Sequence, residues 1–516
     1  MNLDINKKIA QLICVEIRIN EIYNDPKKLE DLKESFRKNQ WGSVILFDGD
    51  IETASKIIDD LQKNAEIPLF VCADLERGAG QHFKGATHIT SNMAITATNN
   101  IDNAYKAGKI TAQEAKDIGL NIIFGPSVDV NSNPKNPIIN IRSFGEDPVK
   151  VADMAQAFIK GCEYEKVLTT AKHFPGHGDT STDSHVEVPL VKKSLKALEK
   201  LELYPFKQVI EDEAPAIMSS HIALPKLDDS MLPATFSYKI MTELLREKMN
   251  FNGLVFTDAL NMDGAKLALE HSVYVSALLA GCDILLMPPE PEKALENIRE
   301  ALEKNIISHE RLDESYSRIL KYKERYCDLS YKKSLKRINS EKNKLFSQQV
   351  ADEALTKIKG NLKFPIKLEE KKVVNILIDQ DDNSDVWNLL SCKLSKEYGI
   401  KTLVINTKSE KNTLLELEDK INDKDLIVIS FFSQMKAWKK HMHPKKEVLT
   451  WIEKNIIKNK EHIVFAFSDP YFINKIPEVK NYYCTYSASQ ESQLAVIKFL
   501  FEGLEAKGIS PIQVKF

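Results

Sequence analysis

The 516 residues carry 71 Lys and Arg against 74 Asp and Glu, a formal net charge of −3, so no global basic field draws the chain to nucleic acid or to an anionic membrane. The length exceeds one ordinary domain and allows a large barrel with a second unit, or three smaller units. The 7 cysteines, Cys14, Cys72, Cys162, Cys282, Cys327, Cys392 and Cys484, stand singly without a CxxC pair, which favours free thiols in a reducing compartment over a disulfide framework or a zinc site.

The first stretch, MNLDINKKIAQLICVEIRIN, has charges throughout and lacks the uninterrupted apolar region of a secretory signal. No later window is apolar over the length a bilayer span requires. A cytoplasmic protein is the expectation.

Short apolar runs then recur: QLICVEI (11–17), SVILF (43–47), PLFVCAD (68–74), LNIIFGP (120–126), VLTTAKH (167–173), AIMSSH (216–221), LVFTDA (254–259) and DILLM (283–287). They read as buried strands. Helical patterns lie between them. Asn24, Asp25 and Pro26 supply a cap and a first-turn proline before Leu29, Leu32 and Phe36, and Leu295, Ile298 and Leu302 share one face further on. This alternation is the arithmetic of a (β/α)8 barrel over residues 1–327, although a doubly wound open sheet alternates in the same way. The polar residues favour the barrel. Asp74 ends the third run, Lys172 and His173 the fifth, Ser220 and His221 the sixth, and Asp258 the seventh, as one catalytic mouth at the strands' C-terminal ends requires.

Residues 328–345 are lysine-rich and weakly apolar, and 328–372 reads as a linker with a helix leading onward. Strands resume at VVNILID (373–379), TLVIN (402–406), LIVISFF (426–432) and HIVFAF (462–467), so 373–516 reads as a C-terminal α/β sandwich domain.

The densest chemistry is AKHFPGHGDTSTDSH (171–185). Pro175, Gly176 and Gly178 forbid continuous helix or strand and suggest a loop able to change shape. Asp183 and His185 lie two apart, so in an extended segment the carboxylate can accept a proton from the imidazole, fix its tautomer and raise its pKa. A histidine so held is a candidate general acid/base. The rival reading makes His173, His177 and His185 metal ligands, but their spacings of four and eight match no helix face or standard zinc signature, and no metal is assigned. A third reading has these groups bonding the loop to itself. In GLVFTDALNM (253–262), Asp258 is either a lone carboxylate facing an electrophile or the N-cap of a following helix. A carboxylate nucleophile opposite a proton donor is the requirement of retaining glycoside hydrolysis.

KHFPGHGDTSTDSH resembles the signature of the bacterial β-N-acetylglucosaminidases of glycoside hydrolase family 3, and NIIFGPSVDVNSNPKNPIINIRSFGEDP, IMSSHIALPKLD, LPATFS, FNGLVFTDALNM and AGCDILLM follow that family's order. The resemblance is strong to about residue 325 and weaker to YSASQESQLAVIKFLFEGLEAKGISPIQV (486–514). It implies that Asp258 is the nucleophile, His185 the acid/base and Asp183 its partner. Asp74, Arg142, Lys172 and His173 are implied to bind the sugar. No cofactor is implied, and the partner is a small carbohydrate substrate. The family usually shows Asp-x-Glu-Gly-Gly and then an arginine, whereas this chain reads DLERGAGQHF: Arg77 replaces the first glycine, and His82 stands where the arginine would be and is carried over in its place. The resemblance implies hydrolysis of terminal N-acetylglucosamine. A β-glucosidase and a non-catalytic sugar-binding protein on the same fold are the alternatives, and phosphate as acceptor is a side hypothesis, because a neutral histidine repels an anion less than a glutamate does.

Overall fold

The computed structural model describes residues 4–180, 188–265, 269–434 and 442–514. The chain forms two units, one of Met1–His88, Ala104–Asn136 and Pro148–Asn343, the other of Ile89–Asn103, Pro137–Asp147 and Lys344–Phe516. The division is therefore not a single cut in the chain.

In the first unit, strands β1 (Ile13–Arg18), β2 (Ser43–Phe47), β3 (Phe70–Ala73), β4 (Ile122–Ile123), β5 (Leu168–Phe174), β6 (Ala216–Ser219), β7 (Leu254–Phe256) and β8 (Leu285–Leu286) lie in the order β7-β6-β5-β4-β3-β2-β1-β8. Every pairing is parallel, and a parallel bridge from Phe256 to Ile284 joins the two ends of the sheet. Closure excludes the open doubly wound sheet and, among the described residues, leaves this sheet without an edge strand. The strands are nearly continuous buried apolar runs because helices cover them outside and packed side chains fill the interior.

The helices begin where their caps dictate. Asp25 accepts the N–H groups of Lys27 and Lys28 ahead of helix Pro26–Asn39, and Asp50 accepts that of Thr53 ahead of Ile51–Lys63. Helix Pro291–Glu303 buries Ala294, Ile298, Ala301 and Leu302. At the start of the eighth strand segment, Asp283 is fully buried and accepts from Arg246 Nη2 at 2.6 Å, Arg318 Nη1 at 3.0 Å, Ser315 Oγ at 2.6 Å and Val255 N at 3.0 Å. Burial works to raise this carboxyl, but Arg246, Arg311 and Arg318 hold it below the usual carboxylate range. At the N-terminal end of the barrel, Lys323 Nζ donates to Gln11 Oε1 and to Gly42 O, each at 2.7 Å. The lysine-rich stretch after residue 328 is tied down: Tyr331 Oη and Ser334 N each donate to buried Asp117 at 3.0 Å, and Arg337 pairs with the same carboxylate.

The second unit holds β9 (Thr356–Lys359), β10 (Val373–Asp379), β11 (Thr402–Asn406), β12 (Leu426–Phe432), β13 (Glu461–Ala466) and β14 (Tyr482–Cys484) in the order β11-β10-β12-β13-β14-β9. All pairs are parallel except β14 with β9. Alternation along the strands feeds two apolar layers, Ile376, Ile378, Ile427 and Ile429 on one face and Leu377, Leu426, Val428 and Phe465 on the other. Met93, Ala94, Ala97 and Ile141 belong to the first layer, which is why two excursions from the barrel's stretch of sequence fall in this unit. Among the described residues no helix is long and apolar enough to cross a membrane.

Candidate active site

The reactive side chains of the first unit gather at the C-terminal ends of its strands. Lys172, near the end of β5, is 2% exposed, and its Nζ lies 2.6 Å from Asp74 Oδ1 and 2.7 Å from Glu76 Oε1. An ammonium is tolerated at that depth because two carboxylates replace its water. Glu76 was not anticipated from the sequence, although its position two beyond Asp74 in an extended segment put both acids on one side.

His173 turns Nδ1 to Asp129 Oδ2 at 2.7 Å, and its N–H also donates to that carboxylate. Asp129 takes two further bonds, from His177 N at 2.6 Å and Ser127 Oγ at 2.9 Å. Burial pushes the Asp129 carboxyl up, but His173 and His177 beside it leave it below the usual range, an anion holding two histidines. Its clue was an aspartate inside the apolar stretch FGPSVDV, which demands a buried partner. His177, one of the three histidines that suggested a metal, is pulled down to about 4, chiefly by burial and then by His173, so it is neutral at pH 7. Its Nδ1 meets Thr180 Oγ1 at 2.9 Å, and its carbonyl accepts from Asn136 Nδ2 at 2.8 Å. Among the described residues no group of three or more His, Cys, Asp or Glu is arranged to hold a metal ion.

Asp258 follows β7 and is part-exposed. Its Oδ1 accepts from the adjacent Ala259 N at 2.8 Å, and its own N–H donates to Ser219 Oγ at 3.3 Å. No helix starts there: the next helical turn is Asp263–Ala265, so Asp258 is not an N-cap. The strand end is braced from β6. Ser219 Oγ meets Thr235 Oγ1 at 2.8 Å, Thr235 meets His221 Nδ1 at 3.0 Å, and His221 Nε2, facing the carbonyl of Ala259 at 3.1 Å, donates to it. The negative charge of Asp258 also acts on His177, opposing its loss of basicity.

His82 packs edge-on against Phe47, with ring centroids 5.4 Å apart, and its Nδ1 lies 3.7 Å from Asp48 Oδ1. Burial lowers its pKa and Arg77 adds to the effect, against the pull of Asp74 and Asp48. Arg142 lies in the second unit, on the turn Asn140–Arg142. There its Nη1 donates to Ile138 O at 3.1 Å, its carbonyl accepts from Asn92 Nδ2 at 2.7 Å, and Asn140 Nδ2 donates to Asp469 Oδ1 at 2.9 Å.

Asp183 and His185 lie outside the described residues. The stretch leading to them is buried and anchored rather than the pliant connection its glycines suggest. Gly178 has no room for a side chain, since a Cβ would come 1.7 Å from Val130 O, and Gly176, at φ +120, lies where a Cβ would come 2.6 Å from Glu202 Cβ. These glycines serve close approach. Lys193 Nζ lies 2.9 Å from Asp179 Oδ2 and 2.5 Å from Glu202 Oε1. Burial works against the Lys193 charge, but its bonds to Glu202 and Asp179 hold it above the usual lysine value, whereas burial lifts the Glu202 carboxyl despite Lys193.

With this geometry in place, comparison with known proteins is informative. Residues 4–322 match the model of the glycosyl hydrolase family 3 N-terminal domain. The chain is 33% identical to β-hexosaminidase A of Pseudoalteromonas piscicida over 384 residues, 67% of this chain and 64% of that protein. It is 31% identical to a β-N-acetylglucosaminidase/β-glucosidase of Cellulomonas fimi over 328 residues, 62% of this chain and 57% of that one. The match thus spans less than two thirds of either relative. Among solved structures, a family 3 β-N-acetylglucosaminidase from Paenibacillus sp. str. FPU-7 superposes with a TM-score of 0.87 at 25% identity, covering 99% of both chains. A β-glucoside phosphorylase bound to 2FGlc gives 0.89 at 26% identity over 99% of this chain and 94% of its own.

Proposed function

The chain belongs to glycosyl hydrolase family 3, and from that premise we propose that it is a retaining exo-β-N-acetylglucosaminidase that removes terminal N-acetylglucosamine from peptidoglycan- or chitin-derived fragments in the cytoplasm. The observation that carries this reading is Asp258, a carboxylate braced at the end of β7 outside any helix cap, on the same barrel mouth as part-exposed Asp74 and buried Glu76, Lys172 and His173. Names of relatives support the sugar: two of those compared are a β-hexosaminidase and a β-N-acetylglucosaminidase/β-glucosidase.

In this mechanism Asp258 attacks the anomeric carbon as the bond to the aglycone oxygen breaks, and His185 gives its proton to that oxygen. A water then attacks the glycosyl-aspartate, returns a proton to His185 and frees the carboxylate. Asp183 accepts a hydrogen bond from His185 and fixes its tautomer. Lys172 donates to sugar hydroxyls, Asp74 accepts from them, and His173, its Nδ1 held by Asp129, meets the sugar through Nε2. Arg142 and His82 complete the proposed substrate ligands.

Aryl β-N-acetylglucosaminide and aryl β-glucoside, assayed side by side, test the reading: preferred cleavage of the first supports it, preferred cleavage of the second makes the protein a β-glucosidase, and cleavage of neither sinks the enzyme. Asp258→Ala abolishes turnover, whereas His185→Ala spares substrates whose leaving groups need no protonation. If both variants keep full activity, the assignment is wrong.

A second reading is supported by the likeness to a β-glucoside phosphorylase. With a histidine as acid/base, the neutral side chain places no negative charge beside the intermediate, so phosphate can replace water. Reaction in phosphate and in a non-nucleophilic buffer of equal ionic strength decides it, and absence of a sugar phosphate removes it.

A further inference from the structure

Strand register shows which charged side chains point into the barrel. Every second residue of a strand faces the same side, and so do registered partners in a parallel pair. Phe124, which follows β4, and Phe256 of β7 have ring centroids 5.2 Å apart although β5 and β6 separate their strands, so their face is the inner one. From Ile122 that face passes through Cys72 and Ile45 to Glu16 of β1, and Phe47 is the direct partner of Arg18. Asp74 shares it and meets Lys172 Nζ at 2.6 Å. In the other direction it passes through Leu168, then by way of Thr170, Ala216 and Leu254 to Asp258. Glu16 and Arg18 thus share the inner face with Asp74, Lys172 and Asp258, and Arg18, Phe47 and Asp74 stand at one level of it, at the mouth.

The closed sheet gives this pair its place. β1 lies between β8, which adjoins β7 through the Phe256–Ile284 bridge, and β2, which adjoins β3. A sugar that reaches both Asp258 and Asp74 therefore lies against the wall made by β1 and β2. On that wall Arg18 Nη2 lies 2.6 Å from Glu16 Oε1, and the guanidinium lies over the Phe47 ring, with Cζ 5.2 Å from its centroid. His82 packs edge-on against the same ring. Asn261, in the stretch after Asp258, donates through Nδ2 to Glu16 Oε2 at 3.5 Å. Both charged side chains are within reach of a solute, 45% exposed for Arg18 and 26% for Glu16. An ion pair so exposed adds little to stability, which gives the fold alone weak reason to hold two charges on an inner face. The ring and the carboxylate fix the fork of donors, and a balanced charge suits a neutral hydroxyl better than an anion.

We infer that Arg18 is a specificity-determining residue of the sugar site: its guanidinium, stacked on Phe47 and oriented by Glu16, donates to one hydroxyl of the terminal sugar. The inference rests on the reading of this mouth as a glycosidase site. Loss of a hydrogen bond from a charged donor weakens recognition of the sugar by about 10- to 100-fold, and the loss belongs to that hydroxyl alone.

The test is kcat/KM for an aryl β-N-acetylglucosaminide and for analogues each lacking one sugar hydroxyl, with wild type and Arg18→Met. Arg18→Met loses about 10- to 100-fold on the parent substrate and less than about 3-fold on one analogue, the one lacking the hydroxyl that Arg18 holds, while its losses on the other analogues match the parent's. Arg18→Lys restores part of the loss, since a lysine keeps the charge without the fork, and it carries the comparison if Arg18→Met does not fold. Glu16→Gln, which loosens the guanidinium, weakens the dependence on the same hydroxyl. Equal losses on the parent and every analogue, or no loss at all, overturn the inference. If the wild type cleaves the aryl glucoside instead, the proposed function falls and the same comparison on deoxy glucosides decides the inference. If it cleaves neither, calorimetric affinities for free N-acetylglucosamine and its deoxy analogues take the place of kcat/KM, and equal losses or no binding overturn the inference as well.

Discussion

At the scale of single residues, Lys172 and Lys323 are buried ammonium groups of the barrel with different surroundings. Lys172 lies between two carboxylates, whereas Lys323 is bonded to neutral oxygens, and its amine is pulled down to about 8, chiefly by burial. The sign of the consequence follows from proton binding. Between about 8 and the ordinary value of 10.5 the unfolded chain holds a proton that the folded chain has released, so this group's contribution to stability rises with pH across that window and is least favourable below it. Relative to Lys323→Met, the wild type therefore gains about 2 kcal/mol between pH 7 and pH 10 in urea unfolding. A wild-type stability that falls or stays constant relative to Lys323→Met over this range would contradict the depressed amine. Legibility at this scale followed position along the strands. Asp74, Lys172, His173 and Asp258 were visible as polar residues ending apolar runs. Asp129 and Glu76 were not, because a buried acid is recognised by partners that only the folded chain brings beside it.

At the scale of elements, the segment from His173 to Thr180 shows why composition misleads. Glycine and proline there suggested pliancy, yet the stretch is pinned by Asp129, Asn133 and Asn136, and Gly178 abuts the backbone of Val130. Gly178→Ala is expected to destabilise the fold by about 2 to 4 kcal/mol, since the colliding atom is a backbone carbonyl that cannot swing away, and to lower kcat/KM with it. Thermal unfolding beside kinetics checks this, and an unchanged Tm would return the glycine to its flexible role. The long strands were readable almost to the residue: β10, β11 and β12 span the residues their apolar runs marked. β9 and β14 were not, because TKIK alternates with lysine and YYC is three residues long, too little for a period to emerge.

For the whole molecule, the fold class was legible, but the way the chain is shared between units was not. Barrel periodicity assigns residues 1–327 to one body, whereas Met93, Ala94, Ala97 and Ile141 bury in the second unit's core with Ile376 and Ile429. Nothing in the local pattern distinguishes an apolar residue bound for one core from one bound for another. A chain cut after Asn343 is therefore expected to behave not as an autonomous barrel but as a protein with exposed apolar surface, binding a hydrophobic dye and aggregating. A soluble, cooperatively unfolding 1–343 fragment would refute this.

The same division imposes an order in time. Segments Ile89–Asn103 and Pro137–Asp147 leave the ribosome roughly 200 residues before Lys344, the first residue of the stretch that completes their core. At typical elongation rates that interval is on the order of 10 to 40 s. During it the nascent barrel carries two segments whose core partners have not yet been made, and for the same reason the second unit is not a cassette attached at one junction.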